Sequence, residues 1–205
     1  VSWSMGAQTQ DVDFAHVGKN ISIALPATVT VGVHKAIESL ELGFLPITSF
    51  EGTAGATYIN PSKPDLRVDF VTTWHRGGDE PITPENLNVA FQPLKFMEYL
   101  LEGPTQAALL SRAGAVLVNV PAPERYALHK LVIHTERDKA TRAKSGKDLR
   151  QAAAMIAWLE EHDPDALQAA WEDLLSRGKG WRSRAKSGLD QLRGLDPEGA
   201  PRLTV

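Results

Sequence analysis

Two short acidic segments constrain this chain more than anything else in it: Thr9-Gln10-Asp11-Val12-Asp13-Phe14 and, far downstream, Leu66-Arg67-Val68-Asp69-Phe70. Both read as strands, because their acids alternate with β-branched, aliphatic and aromatic neighbours. Side chains alternate across a strand, so Asp11 and Asp13 take one face while Val12 and Phe14 take the other. If Val68 and Phe70 face a core, Asp69 projects the opposite way. Two such strands side by side gather three carboxylates on one surface. The cluster repels itself until a cation neutralises it, and hard oxygen ligands suit Mg²⁺ or Mn²⁺. That donor set serves metal-assisted phosphoryl or nucleotidyl transfer. Spacing alone also permits a plainer arrangement, with the acids on a solvated strand face and Arg67 beside Asp69 in a weak surface pair.

At 205 residues, 42% hydrophobic and 23% charged, the chain suits one sizeable core, or one core plus a helical appendage. A net charge of −3 gives no global attraction to nucleic acid or to an anionic membrane. Charge is uneven, though. Eight basic residues (Arg125, Lys130, Arg137, Lys139, Arg142, Lys144, Lys147 and Arg150) face only three acids, Glu136, Asp138 and Asp148, over the same stretch. That stretch is either a phosphate-facing patch or a solvated helix face. The absence of cysteine excludes disulfides and thiolate metal sites and points to a reducing cytoplasm. No apolar run approaches the roughly 20 residues that span a bilayer, and no signal peptide is visible, so no membrane partner is expected. The chain begins with Val rather than Met, so a fragment or processed form is expected.

The pattern predicts an α+β protein. After the first acidic strand comes Ile21-Ser22-Ile23-Ala24-Leu25-Pro26, ended by proline, then a loosely helical series from Val31 to Leu42 that stops at Gly43. Strands are predicted at Gly43–Ile47, Ala56–Ile59 and Leu66–Thr72, with turn signals at Gly52, Gly55 and Asn60-Pro61. A polar loop covers 77–88, an apolar stretch follows from Leu94 to Leu101, and Ala113-Gly114 marks a turn between two apolar runs. Helices are predicted from Pro123, over Ala140–Glu161, from Asp163-Pro164, and after Gly180. The division drawn from this is a small mixed-sheet module over 1–120, lacking its N-terminal part, and a helical domain over 121–205.

The acidic segments resemble the two acidic strands of the nucleotidyltransferase-fold superfamily, to which DNA polymerase β belongs. The run Asn119-Val120-Pro121-Ala122-Pro123-Glu124-Arg125-Tyr126-Ala127-Leu128-His129-Lys130-Leu131, followed by Lys147-Asp148-Leu149, is similar to the helical half of uncharacterised bacterial proteins of that fold. Some toxin-type nucleotidyltransferases carry a His-Lys-Leu helix and a Lys-Asp-Leu helix in the same order. The resemblance covers roughly residues 8 to 185. It implies that Asp11 and Asp13 hold Mg²⁺ or Mn²⁺, and that Asp69 completes the metal site and helps activate the attacking hydroxyl. It further implies an NTP donor, with Lys130 and then Lys147 meeting its phosphates. The acceptor, whether RNA, protein or small molecule, is left open, as is the oligomeric state. One departure stands out. Relatives carry a Gly-Ser or Gly-Gly turn well upstream of the first acid, whose backbone N–H groups cradle phosphate. Here only Val1 to Gln10 precede Asp11, and Gly6 is followed by Ala7. The alternative reading is therefore a non-catalytic module that keeps the fold and binds a nucleotide or a protein.

Other residues carry less. His16 has the opposite parity to Asp11 and Asp13 and reads as loop. His34, His75, His129, His134 and His162 form no zinc constellation. No Gly-x-Ser-x-Gly elbow is present. Trp158, Trp171 and Trp181 read as helix packing, and Trp74-His75-Arg76 as a loop end.

Overall fold

The computed structural model describes residues 11–16, 32–48, 54–74, 78–84, 87–136, 142–195 and 203. Thr9, Gln10, the Ile21–Pro26 segment, Gly52 and His75 lie outside these. The chain is α+β. It divides into two compact units, one running through Glu98 and the other beginning at Tyr99. The sequence reading drew its boundary after residue 120; here the hairpin over 105–120 groups with the helices.

In the first unit, β1 (Asp11–His16), β2 (Leu45–Thr48), β3 (Ala54–Asn60), β4 (Lys63–Thr73) and β5 (Gln92–Leu94) form one mixed sheet in the order β1-β4-β3-β2, with β5 also paired to β4. β1 and β5 run parallel to β4, whereas β3 is antiparallel to both of its neighbours. His16, expected in a loop, closes β1 in register with Thr72. Gly55, expected in a turn, lies inside β3. A Cβ there would stand 2.3 Å from the carbonyl oxygen of Ile47, so the missing side chain lets β2 and β3 close at their irregular register. Helix α1 (Val33–Ser39) ends before Gly43, whose φ of +73° turns the chain toward β2.

One face of this sheet carries the core. Ile37 of α1, Phe44, Ala56, Tyr58, Phe70 and the Val89-Ala90-Phe91 segment are buried together. Phe70 is its aromatic hub. It meets Tyr58 and Phe91 edge-on at 5.8 and 5.7 Å, and stacks on Phe14 at 5.5 Å. Burial, and secondarily the charge of Glu38, pushes the Tyr58 phenol above its usual range.

The second unit opens with the short α2 (Met97–Leu100), which crosses the boundary, and the antiparallel hairpin β6 (Thr105–Ser111) and β7 (Gly114–Val120). The expected turn at Ala113-Gly114 joins them. Then come α3 (Pro123–Ile133), a 3-10 turn at His134–Glu136, α4 (Arg142–His162), α5 (Pro164–Ser176) and α6 (Lys179–Leu195). Pro123 and Pro164 occupy first-turn positions, and the Asp163 carboxylate accepts the Ala166 N–H at 3.3 Å to cap α5. Leu128, Leu131, Ile156, Leu159, Leu167, Trp171, Leu174 and Leu189 are fully buried between these helices. Trp171 thus packs in the core, Trp181 lies 5.8 Å from Tyr99, and Trp158 stacks on His162.

Tyr99 anchors this unit. It is fully buried and donates its hydroxyl to the Ala170 carbonyl at 2.9 Å. The guanidinium groups of Arg125 and Arg177 lie 4.8 and 5.0 Å from its ring centre. Both arginines reach Asp173 at 2.8 Å, and both also pair with Glu102. Burial pushes the Asp173 carboxyl up, but hydrogen bonds from Arg177 and Arg125, and their charges, outweigh it and hold the group below its ordinary range. The sign follows directly. Its contribution to stability is complete above the unfolded-state value of about 3.9 and is lost as pH falls through the lower folded value. Asp173→Asn is therefore expected to be less stable near neutrality and to show a shallower loss of stability below about pH 4. Urea midpoints measured from pH 3 to 7 check this, and parallel curves for the two proteins would refute it.

Candidate active site

Asp13 and Asp69 are direct partners in the parallel register of β1 and β4. Residues at matched positions of adjacent parallel strands share a face, with the strands about 4.8 Å apart. The stacked ring pair at Phe14 and Phe70, one position further along each strand, marks the core side, so the two carboxylates share the other side. Asp11 is matched to Arg67, two positions earlier, and its side chain lies outside the described set.

β4 goes under cover as it passes this point. On the acidic face Arg67 is exposed, Asp69 half-buried, and Val71 and Thr73 buried. From β3, Thr57 is matched to Asp69, and its hydroxyl donates to Asp69 Oδ1 at 2.6 Å. Thr57, Asp69 and Asp13 therefore form a row across three strands. Sequence reasoning missed Thr57. It lies in the predicted Ala56–Ile59 strand, but only the β3–β4 register brings it beside the acid.

Among the described residues, no group of three or more His, Cys, Asp or Glu could hold a metal ion, and Asp11 contributes no side chain to that search. The donors fit a hard divalent cation nonetheless. Asp13 and Asp69 offer carboxylate oxygens on adjacent strands, and Asp69 makes no ion pair with a described Lys or Arg.

The two lysines singled out in the sequence lie on helices of the second unit. Lys147 is exposed on α4. Lys130 is not a surface lysine. Its Nζ lies 2.8 Å from Asp148 Oδ1, with side-chain exposures of 15% and 4%, and 5.1 Å from the centre of the Tyr126 ring. Charge counting included Asp148 but treated it as solvated, and so missed its burial and its pairing with Lys130. The clue was its place next to Leu149 on the buried stripe of α4. Arg125, held between Tyr99 and Asp173, likewise does not belong to a solvated basic face.

A nucleotidyltransferase family profile matches residues 2–176. The chain belongs to this nucleotidyltransferase family. Asp11, Asp13, Asp69, Lys130 and Lys147 all fall inside the matched residues, and α6 begins beyond them. Among solved structures, the chain is similar to an antigenic nucleotidyltransferase-like protein from Paracoccidioides brasiliensis. That similarity has 17% identity and a TM-score of 0.36, and it covers 87% of this chain and 75% of the other. No curated protein matches. Among the described residues, no helix of this family member is long and apolar enough to cross a membrane.

Proposed function

We propose that this member of the family is a metal-dependent nucleotidyltransferase, moving a nucleoside monophosphate from an NTP to the hydroxyl of an acceptor. The observation that supports it most is the register that sets Asp13 beside Asp69 on the face opposite the aromatic core. Asp11, Asp13 and Asp69 would hold Mg²⁺ or Mn²⁺. A bound divalent ion supplies positive charge to the phosphate oxygens and to the leaving pyrophosphate. Asp69, half-buried and already holding one hydrogen bond, is the base that takes the proton of the acceptor hydroxyl. The phosphate-contact role is proposed for two lysines. Lys147 is exposed on α4, and Lys130 carries an ammonium that already pairs with Asp148.

Calorimetry with Mn²⁺ and each NTP, on the wild type and on Asp13→Ala, tests this. The expected result is metal-dependent NTP binding that weakens more than tenfold in the variant, the scale set by losses around metal sites. Equal binding by both proteins would refute the assignment. Transfer of label from α-labelled NTP to a component of a cell extract then separates turnover from the alternative, binding without transfer.

A further inference from the structure

We propose that Thr57 is a positioning residue for Asp69, holding its carboxylate so that it meets a divalent cation through one oxygen. This rests on the metal-dependent reading above. The Thr57 hydroxyl donates to Asp69 Oδ1 at 2.6 Å, a short bond of the kind made to an ionised acceptor. Donor and acceptor sit on adjacent strands at matched positions, and threonine is stiff about χ1, so the sheet itself fixes the donor. Among the described residues this is the hydrogen bond that Asp69 makes through its side chain. It occupies a lone pair on Oδ1, and among the described residues none is a hydrogen-bond partner of Oδ2.

The charge of the donor matters as much as its place. Asp69 has Asp13 beside it on β1 and Arg67 two positions earlier on its own strand, with Asp11 matched to Arg67. A lysine or arginine in place of Thr57 would neutralise the carboxylate and compete with a cation. A neutral hydroxyl orients the group and leaves its negative charge intact. That is the role of an outer partner to a metal ligand, whose loss weakens metal binding by roughly 10- to 100-fold.

The test is Mn²⁺ calorimetry without nucleotide on wild type, Thr57→Val, Thr57→Ser, Asp69→Asn, Asp13→Ala and the Thr57→Val/Asp69→Asn double variant. Valine keeps the shape of threonine and its preference for strands, so thermal unfolding should be little changed. The expected result is Mn²⁺ affinity about tenfold weaker in Thr57→Val. Thr57→Ser should keep wild-type affinity, and valine should add no further loss once Asp69 is Asn. Wild-type affinity in Thr57→Val, alongside loss in Asp69→Asn, overturns the role of Thr57 and leaves the metal site standing. Loss of affinity in the valine variant that serine does not restore also overturns it. Mn²⁺ uptake that is equal in wild type and Asp13→Ala, or absent from wild type, overturns the metal-dependent reading and this inference with it.

Discussion

Replacing Lys130 with Met is expected to destabilise the protein by about 3–5 kcal/mol, the scale of removing one partner from a buried ion pair. The pair joins α3 to α4. Lys130 follows a buried histidine and precedes the fully buried Leu131, and Asp148 precedes the buried Leu149. An exposed pair of the same length contributes at most about 1 kcal/mol, because water screens it and both side chains stay mobile. Here the Asp148 side chain is 4% exposed, so losing its lysine leaves a carboxylate with little water to solvate it. Methionine retains most of the apolar stem, which confines the change to the charge. Urea unfolding of Lys130→Met, Asp148→Leu and the double variant separates the contributions. The double variant should recover much of the loss, since an apolar pair of similar volume often equals or exceeds a buried ionic one. A single variant as stable as wild type would mean that the pair holds nothing together.

Gly188→Ala is expected to cost about 2 kcal/mol, although alanine favours helix by about 1 kcal/mol. A Cβ at position 188 of α6 would stand 2.4 Å from the carbonyl oxygen of Leu131 and 2.9 Å from its carbonyl carbon and Cβ. Those are largely backbone atoms of α3, so relief requires the helices to separate rather than a side chain to swing. Gly194 on the same helix is the internal control, because a Cβ there meets nothing within 4 Å. Gly194→Ala should be neutral or stabilising by up to about 1 kcal/mol. Thermal melts of the two variants check the contrast, and equal shifts would show that the helices can yield at position 188.

The helices and the acidic face were the legible parts. Asp163-Pro164 announces an N-cap and first turn through local chemistry, and Asp13-Phe14 and Asp69-Phe70 announce opposite strand faces through alternation. Pairing between distant strands follows no local rule, so neither the match of Asp13 to Asp69 nor that of Thr57 to Asp69 could be read beforehand. Gly55 misled because glycine signals both turns and close backbone approach, and here it serves the second. Lys130, Arg125 and Asp148 misled for another reason. Counting charges along a segment treats each as solvated, whereas these three are partnered inside the helical unit.

The gradient of cover along β4 carries a last consequence. Because Asp69 sits where the strand passes from open water to packed interior, it has a wet side and a dry side. Arg67, exposed two positions before Asp69 on the same face of β4, sets a positive charge at the open end of the strand. Its charge offsets part of the repulsion that the neighbouring acids exert on an approaching anion.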